Sequence, residues 1–272
     1  MKKGQDTRGY VRYMALDLHR EYILVGAWNE KKDWVLTPRR VNIEKFPEWA
    51  KKNIRPGDIV VLETTTNVWT IYDSVAPLAS RVLVANAAEV WELAGARVKT
   101  DKEDIKRLLK LLIGGIVPEV WVPPMEVREL RAFVSYRSRL VATAAMIRNR
   151  LQSLLHKHNL LLPEDGLLNE TWWEGQKNIS TLEKMQIRQE LSLLQEVEKL
   201  KEAVDEELQR QSTSSQWGKQ AVQIMQLPGV GFVVALTVLS AIGDISRFES
   251  AKHLVGYDRI SLAGGTDVTF LE

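Results

Sequence analysis

The chain has 272 residues, of which 45% are hydrophobic and 26% are charged, and its formal net charge is +2. These values are typical of a globular protein with one large domain or two smaller ones. The lack of cysteine excludes disulfides, zinc fingers and thiol nucleophiles. No stretch approaches the roughly 20 apolar residues of a membrane span, and no secretory leader is visible, so we expect a soluble, cytoplasmic protein.

The first zone, residues 10–118, alternates predicted strands and helices. Three segments rich in β-branched and aromatic residues predict an antiparallel meander: "YVRYMALDLH", "EYILVGAWN" and "DWVLTPRRVNI". A helical "EKFPEWAKKN" follows, and the apolar run "DIVVLETT" predicts a strand buried on both faces. A helix over "NVWTIYDSVAPLA", a strand "RVLVAN" and helices from Ala87 and from Asp101 complete the order. This order predicts an α/β domain with a mixed sheet.

The second zone, residues 125–215, predicts two long helices. Apolar residues recur at steps of three and four between Leu130 and Leu155, and again between Leu191 and Leu208. The segment "LLPEDGLLNETWWEGQKN" separates the two stretches, which predicts an antiparallel helical hairpin. The apolar stripe fits a core or coiled-coil seam, with contact between copies as the functional alternative. The polar "QRQSTSSQWGK" predicts a linker.

Charge is distributed unevenly over the two predicted long helices. Seven lysines and arginines but one acid, Glu129, lie between Arg128 and His158, whereas eight acids and four bases lie between Glu183 and Glu207. A basic helix predicts salt-dependent contacts with nucleic acid, and a solvated helix face is the alternative. The predicted contact residues are Arg128, Arg131, Arg137, Arg139, Arg148 and Arg150.

The third zone, residues 220–272, predicts a small helical domain. Its segment "LPGVGFVVALTVLSAIGD" has the pattern of a helix-hairpin-helix. Gly229 and Gly231 would let backbone N–H groups and a helix N-terminus face a phosphate. An ordinary tight turn between two packed helices fits the same residues.

Acidic residues occur at predicted strand ends, where the functional groups of such sheets usually lie. Asp17 ends the first predicted strand and Glu63 ends the buried one, while Asp101 and Asp104, at i and i+3, open the last helix of the zone on one helix face. Four converging carboxylates would repel one another unless divalent cations lie between them, so the set predicts a site for two Mg²⁺ ions. Each acid taken alone also has a structural reading, because carboxylates suit the first turn of a helix.

A family resemblance accompanies these residues. The first zone, with its acids and "KTDKEDIKRL", resembles a ribonuclease H-like, RuvC-type nuclease domain with a DEDD metal site. The segment "LPGVGFVVALTVLSAIGDISRFESAKHLVGY" resembles the start of the C-terminal domain of DEDD insertion-sequence transposases, which include Piv-type invertases and bridge-RNA-guided recombinases. The resemblance implies Mg²⁺-dependent cutting and rejoining of DNA, with Asp17, Glu63, Asp101 and Asp104 as metal ligands. It also implies a structured guide RNA and a homodimer or tetramer.

The family's nucleophilic serine has one candidate here. Ser261 is the only serine in "DRISLAGGTDVTFLE", where the family continues through a Ser-Gly motif into a basic tail, so a shortened C-terminal domain is expected. Two alternatives stay open beside the transposase hypothesis. One is a RuvC-like, structure-specific nuclease without a serine intermediate, and the other is a nucleic-acid-binding remnant without recombination activity.

Overall fold

The computed structural model describes residues 11–94, 101–161, 166–214 and 216–256. They form two compact units, the first ending at Val122 and the second beginning at Pro123. The predicted helical hairpin and the described part of the third zone, residues 220–256, fall within the second unit. Among the described helices, none combines the length and the apolar character that crossing a membrane requires.

The first unit contains a five-stranded sheet in the order β3-β2-β1-β4-β5. The first three strands are antiparallel neighbours, and β1, β4 and β5 are parallel. The predicted mixed sheet is confirmed. The strands are β1 (Tyr13–Leu18), β2 (Tyr22–Trp28), β3 (Trp34–Asn42), β4 (Ile59–Glu63) and β5 (Arg81–Ala85).

Four helices of the first unit are described, and apolar clusters cover both faces of the sheet. Met14 and Leu16 of β1 pack in a cluster with residues of α1 and α2, whereas Ala15 packs in a second cluster with residues of α3 and α4. Because successive side chains of a strand point to opposite faces, a strand covered on both faces reads as a continuous apolar run. The helices are α1 (Phe46–Asn53), α2 (Val68–Val75), α3 (Ala87–Ala94) and α4 (Asp101–Gly114).

Gly26 allows α4 to approach the sheet closely. A Cβ atom at this position of β2 would lie 2.7 Å from Cγ2 of Ile105 and 3.1 Å from Cζ3 of Trp34. Gly26 pairs with Ala15 of β1, so Ile105 in the second turn of α4 lies over the middle of the sheet. The glycine thus determines how near the start of α4 comes to β1.

The second unit is helical throughout its described part. Two helices of 33 and 34 residues pack side by side around a shared apolar core, which also includes Trp173 and residues of α9. The helices are α5 (Met125–Lys157), α6 (Glu170–Gly175), α7 (Thr181–Ser214), α8 (Gly218–Ile224), α9 (Phe232–Ile242) and α10 (Ala251–Gly256).

The predicted linker over residues 209–219 is partly wrong, because α7 continues through Ser214. The polar side chains that had suggested a linker form hydrogen bonds within the helix. Ser212 donates from its hydroxyl to the Gln209 carbonyl at 2.7 Å, and Thr213 donates to the same carbonyl at 3.3 Å. Polar composition at this point therefore reflects hydroxyls that bond to the preceding turn of a helix.

Candidate active site and nucleic-acid contacts

Asp17 and Glu63 lie at the same end and on the same face of the sheet. The parallel pairing of β1 and β4 reaches Leu16 and Leu62, and each acid is the next residue on its strand. By strand alternation both acids share the face of Ala15 and Val61, which pack in the cluster that contains α4 residues. Neighbouring strands are about 4.8 Å apart, so the two acids occupy adjacent positions at the carboxyl ends of parallel strands.

Asp104 lies in the first turn of α4 and is 9% exposed. Its Oδ1 atom is 3.2 Å from Nη2 of Arg107, but this contact lacks hydrogen-bond geometry, and the buried oxygen has no hydrogen bond. A buried carboxylate oxygen without a donor costs free energy. The charge of this carboxylate is already balanced in part by Arg107, so a metal ion at Oδ1 would have to share the oxygen with that guanidinium or displace it. Asp101 is the first residue of α4, and its side chain lies outside the described part.

His19 contacts Asp17 and was not recognised from the sequence. Its Nε2 atom lies 3.1 Å from Oδ2 of Asp17, and its ring stacks on Tyr22 with 4.4 Å between ring centroids. The backbone N–H of His19 donates to the Tyr22 carbonyl at 3.0 Å, in the turn between β1 and β2. The ring is therefore held on one side of the Asp17 carboxylate. The only signal in the sequence is the spacing of two residues between this Asp and this His.

The candidate ligands are carboxylates, which is the ligand type expected of a magnesium site. Carboxylate oxygens are the ligands that Mg²⁺ prefers, and Oδ1 of Asp104 lacks a hydrogen bond. Among the described side chains, no three His, Asp or Glu residues form a group that could hold a metal ion. The three described acids, Asp17, Glu63 and Asp104, therefore do not form such a group by themselves. The side chain of Asp101 is not described, so the four-acid site stays a prediction.

The basic side chains of α5 have acidic partners on α7. Arg137 binds Asp205 with 2.6 Å between Nε and Oδ1, and Arg150 lies 3.3 Å from Glu190. The other cross-helix pairs are Arg148–Glu198, Lys157–Glu183 and His158–Glu183. Burial acts to raise the pKa of Asp205, but hydrogen bonds from Arg137 and Lys201 outweigh it and hold that pKa below its usual value. These contacts provide a structural role for the uneven charge.

Two of the remaining predicted arginines of α5, Arg131 and Arg139, also have contacts inside the second unit. Arg131 donates from Nε to the Ser240 carbonyl at 2.7 Å and from Nη2 to the Ala241 carbonyl at 3.0 Å. It thereby satisfies carbonyls in the last turn of α9. Arg139 is exposed and donates to Ser135 at 2.9 Å, while Arg128 is half-buried. Contacts of these residues with nucleic acid stay a prediction.

Gly229 and Gly231 lie in the turn that joins α8 to α9. Gly229 has a φ of +80°, in the left-handed region that favours glycine. Gly231 is the N-cap of α9, with no side-chain hydrogen bond to the helix. A tight turn before a helix is therefore present, and its predicted contact with phosphate is untested. Ser261 lies outside the described residues.

Two comparisons with known proteins match this chain. Residues 221–262 match the model of the transposase IS116/IS110/IS902 family, a stretch that contains the Gly229–Gly231 turn and α9. A protein named "Putative transposase y4qE" from Sinorhizobium fredii is 25% identical over 189 residues, which cover 69% of this chain. The chain spans 45% of that relative's length. Both matches are therefore similarities to transposases.

Proposed function

We propose that this chain is a DNA transposase or site-specific recombinase whose first unit cuts phosphodiester bonds at Asp17, Glu63, Asp101 and Asp104 with Mg²⁺. The comparisons support the transposase role. The order of the five strands, with acids at the carboxyl ends of β1 and β4, supports a ribonuclease H-like nuclease domain. Bound Mg²⁺ would activate the attacking oxygen and stabilise the leaving oxygen.

The observation that carries the proposal is the position of Asp104. Its Oδ1 atom is buried beside the Arg107 guanidinium but without a hydrogen bond, in a helix that packs on the sheet face shared by Asp17 and Glu63. Asp17 and Glu63 would hold the metal from two rigid strands, and Asp101 and Asp104 from one helix. His19, 3.1 Å from Asp17, would fix the orientation of that carboxylate.

The partners belong to the same proposal. DNA is the substrate, and a structured guide RNA would select the sites. The chain would act as a homodimer or tetramer. The guide RNA and the assembly follow from the family resemblance, while DNA also follows from the transposase comparisons.

Manganese binding tests the acid site without requiring DNA. Mn²⁺ would be titrated into the full chain and followed by electron paramagnetic resonance, for Asp17→Asn, Glu63→Gln and Asp104→Asn. Each variant should weaken Mn²⁺ binding at least about tenfold, since even outer-shell changes at metal sites cost that much. DNA cutting in Mg²⁺ should be lost in parallel.

Glu30→Gln is the matched control, because Glu30 is exposed and follows β2 at the opposite end of the sheet from Asp17. It should bind Mn²⁺ and cut DNA like the unchanged chain. Circular dichroism would confirm that all variants fold. If the three acid variants bind Mn²⁺ as tightly as the control, the proposed site is wrong.

A further inference from the structure

An arginine one turn further along α4 lies beside Asp104. Nη2 of Arg107 is 3.2 Å from Oδ1 of Asp104, and the two side chains are 17% and 12% exposed. The pair is therefore largely removed from water, where opposite charges attract each other more strongly than at an exposed surface. A buried carboxylate needs such a partner, so Arg107 serves as the counter-ion of Asp104.

This ion pair differs from that of the neighbouring lysine. Lys106 donates a hydrogen bond of 2.6 Å to Oε1 of Glu103, at the same spacing of three residues. The contact of Arg107 with Asp104, in contrast, lacks hydrogen-bond geometry, and Oδ1 has no hydrogen bond. The guanidinium is therefore held at Oδ1 by charge, and a cation that binds this oxygen more strongly can replace it.

Trp91 of α3 gives Arg107 a second contact. The guanidinium carbon lies 5.7 Å from the centroid of the Trp91 ring, and this tryptophan is half exposed. An aromatic face attracts a guanidinium without using its N–H donors. A guanidinium that leaves Asp104 can therefore stay over Trp91 and turn its donors toward water, so its displacement does not leave a buried charge without a partner.

The position of Arg107 bears directly on the candidate metal site. Among the described side chains, Asp17, Glu63 and Asp104 do not form a metal-binding group, and the Asp104 oxygen without a hydrogen bond is the one beside Arg107. A divalent cation and a guanidinium repel each other when both lie close to one oxygen. Metal binding at Asp104 therefore competes with Arg107.

We propose that Arg107 is a counter-ion that a divalent cation must displace from Asp104, and that the displaced guanidinium stays over Trp91. The proposal rests on the proposed function, because it describes how the acid site admits its metal. Arg107 is a positioning residue: it holds the Asp104 carboxylate until the metal binds, and it limits the metal affinity by competition. Its removal should therefore strengthen metal binding, whereas the loss of a supporting residue would weaken it.

The test compares variants of the full chain in Mn²⁺ titrations followed by electron paramagnetic resonance. Arg107→Met removes the cation but keeps a long apolar stem, which in arginine also packs on its neighbours. Lys106→Met is the matched control, because it removes a cation from the next residue of α4, whose ion pair with Glu103 is more exposed. Arg107→Lys keeps the charge. Circular dichroism in EDTA would confirm that all variants fold.

Arg107→Met should bind Mn²⁺ about fivefold more tightly than the unchanged chain, which corresponds to about 1 kcal/mol and to the upper end of measured exposed ion pairs. Lys106→Met and Arg107→Lys should both stay close to the unchanged chain. The gain should persist at about 0.5 M salt, which screens distant charges more than a direct contact. Unchanged or weaker binding by Arg107→Met, an equal gain in Lys106→Met, or a gain that disappears at high salt would overturn the proposal.

The Trp91 ring reports the displacement itself. Fluorotryptophan would replace the nine tryptophans, and the fluorine NMR signal that is missing in Trp91→Phe would be assigned to Trp91. Mg²⁺, which is diamagnetic, should shift this signal in the unchanged chain but not in Arg107→Met, where there is no guanidinium to move. An equal shift in both chains would overturn the proposal.

Asp104→Asn separates this proposal from the proposed function. If Asp104→Asn weakens Mn²⁺ binding about tenfold while Arg107→Met leaves it unchanged, the competition is wrong and the acid site stands. In the Asp104→Asn background, Arg107→Met should no longer strengthen binding, and a gain of the same size there would also overturn the competition. If Asp104→Asn binds Mn²⁺ like the unchanged chain, the acid site is wrong and the competition falls with it.

Discussion

Replacing Gly26 with alanine would test whether close packing of α4 on β2 supports the candidate site. The new methyl carbon would lie 2.7 Å from Cγ2 of Ile105 and 3.1 Å from Cζ3 of Trp34. Cγ2 is attached to the branched carbon of Ile105, so it cannot move aside without shifting the side chain or the helix. Overpacking of this kind costs about 1–3 kcal/mol of unfolding free energy.

Urea denaturation of the full chain would measure this cost, with a probe of the first unit such as the fluorescence of Trp28, in the same strand as Gly26, and of Trp34, in the neighbouring strand. Gly57→Ala is the matched control, because a Cβ atom at Gly57 meets nothing within 4 Å. That control should be neutral, or more stable by about 0.4–1 kcal/mol through a smaller unfolded-state entropy.

A second substitution identifies the clash as the cause. Ile105→Ala alone should cost about 2–5 kcal/mol through the cavity that it leaves. In the double variant with Gly26→Ala, the new methyl group occupies part of that cavity. The double variant should therefore be more stable than the sum of the single effects predicts, by at least about 1 kcal/mol. Additive effects, or a Gly26→Ala variant as stable as the Gly57→Ala control, would refute the packing argument.

Three further predictions concern the second unit and the C-terminal zone. Hydrogen bonds from Lys157, Ser180 and His158 lower the pKa of Glu183 from 4.5 to about 2, so its contribution to stability is complete above about pH 4.5 and is lost as the pH falls toward 2. Denaturation midpoints of Glu183→Gln should accordingly depend less on pH in that window, and an unchanged dependence would exclude the ion pairs as its source. Gly229→Ala should cost about 1–2 kcal/mol because its φ of +80° disfavours a side chain, whereas Gly231→Ala, at a φ of −91°, should cost less; equal costs in thermal melts would contradict this. If Ser261 is the nucleophile, covalent protein–DNA adducts on denaturing gels should disappear in Ser261→Ala, while cutting without any adduct would favour a structure-specific nuclease.

The positions of Asp17 and Glu63 could be predicted because the local pattern of apolar and polar residues indicates where a strand ends. An apolar run that ends in an acid marks the end of a buried strand, and parallel strands bring such ends together. The pairing of Arg137 with Asp205 could not be predicted in this way, because 68 residues separate the two side chains. Charge counting showed that one helix is basic and the other acidic, but not that they neutralise each other.

The contact between Arg39 and Trp49 was missed for a different reason. Arg39 lies in a segment that was interpreted only as a strand, and its guanidinium lies over the ring of Trp49, which belongs to a helix. Trp49 comes close to Arg39 only after α1 has packed on the sheet. His19 was missed similarly, since its relation to Asp17 depends on the tight turn that returns the chain to Tyr22.

The ion pairs between α5 and α7 have a consequence for the alignment of these helices. Along α5 the paired residues are Arg137, Arg148, Arg150 and Lys157, and their partners on α7 are met in reverse order. Sliding one helix past the other by a single turn moves its side chains by about 5.4 Å. Such a shift would break all four ion pairs at once. Apolar stripes of leucine tolerate such a slip, because similar side chains recur at each turn. The charges therefore select one alignment of the hairpin among several that the apolar seam alone would permit.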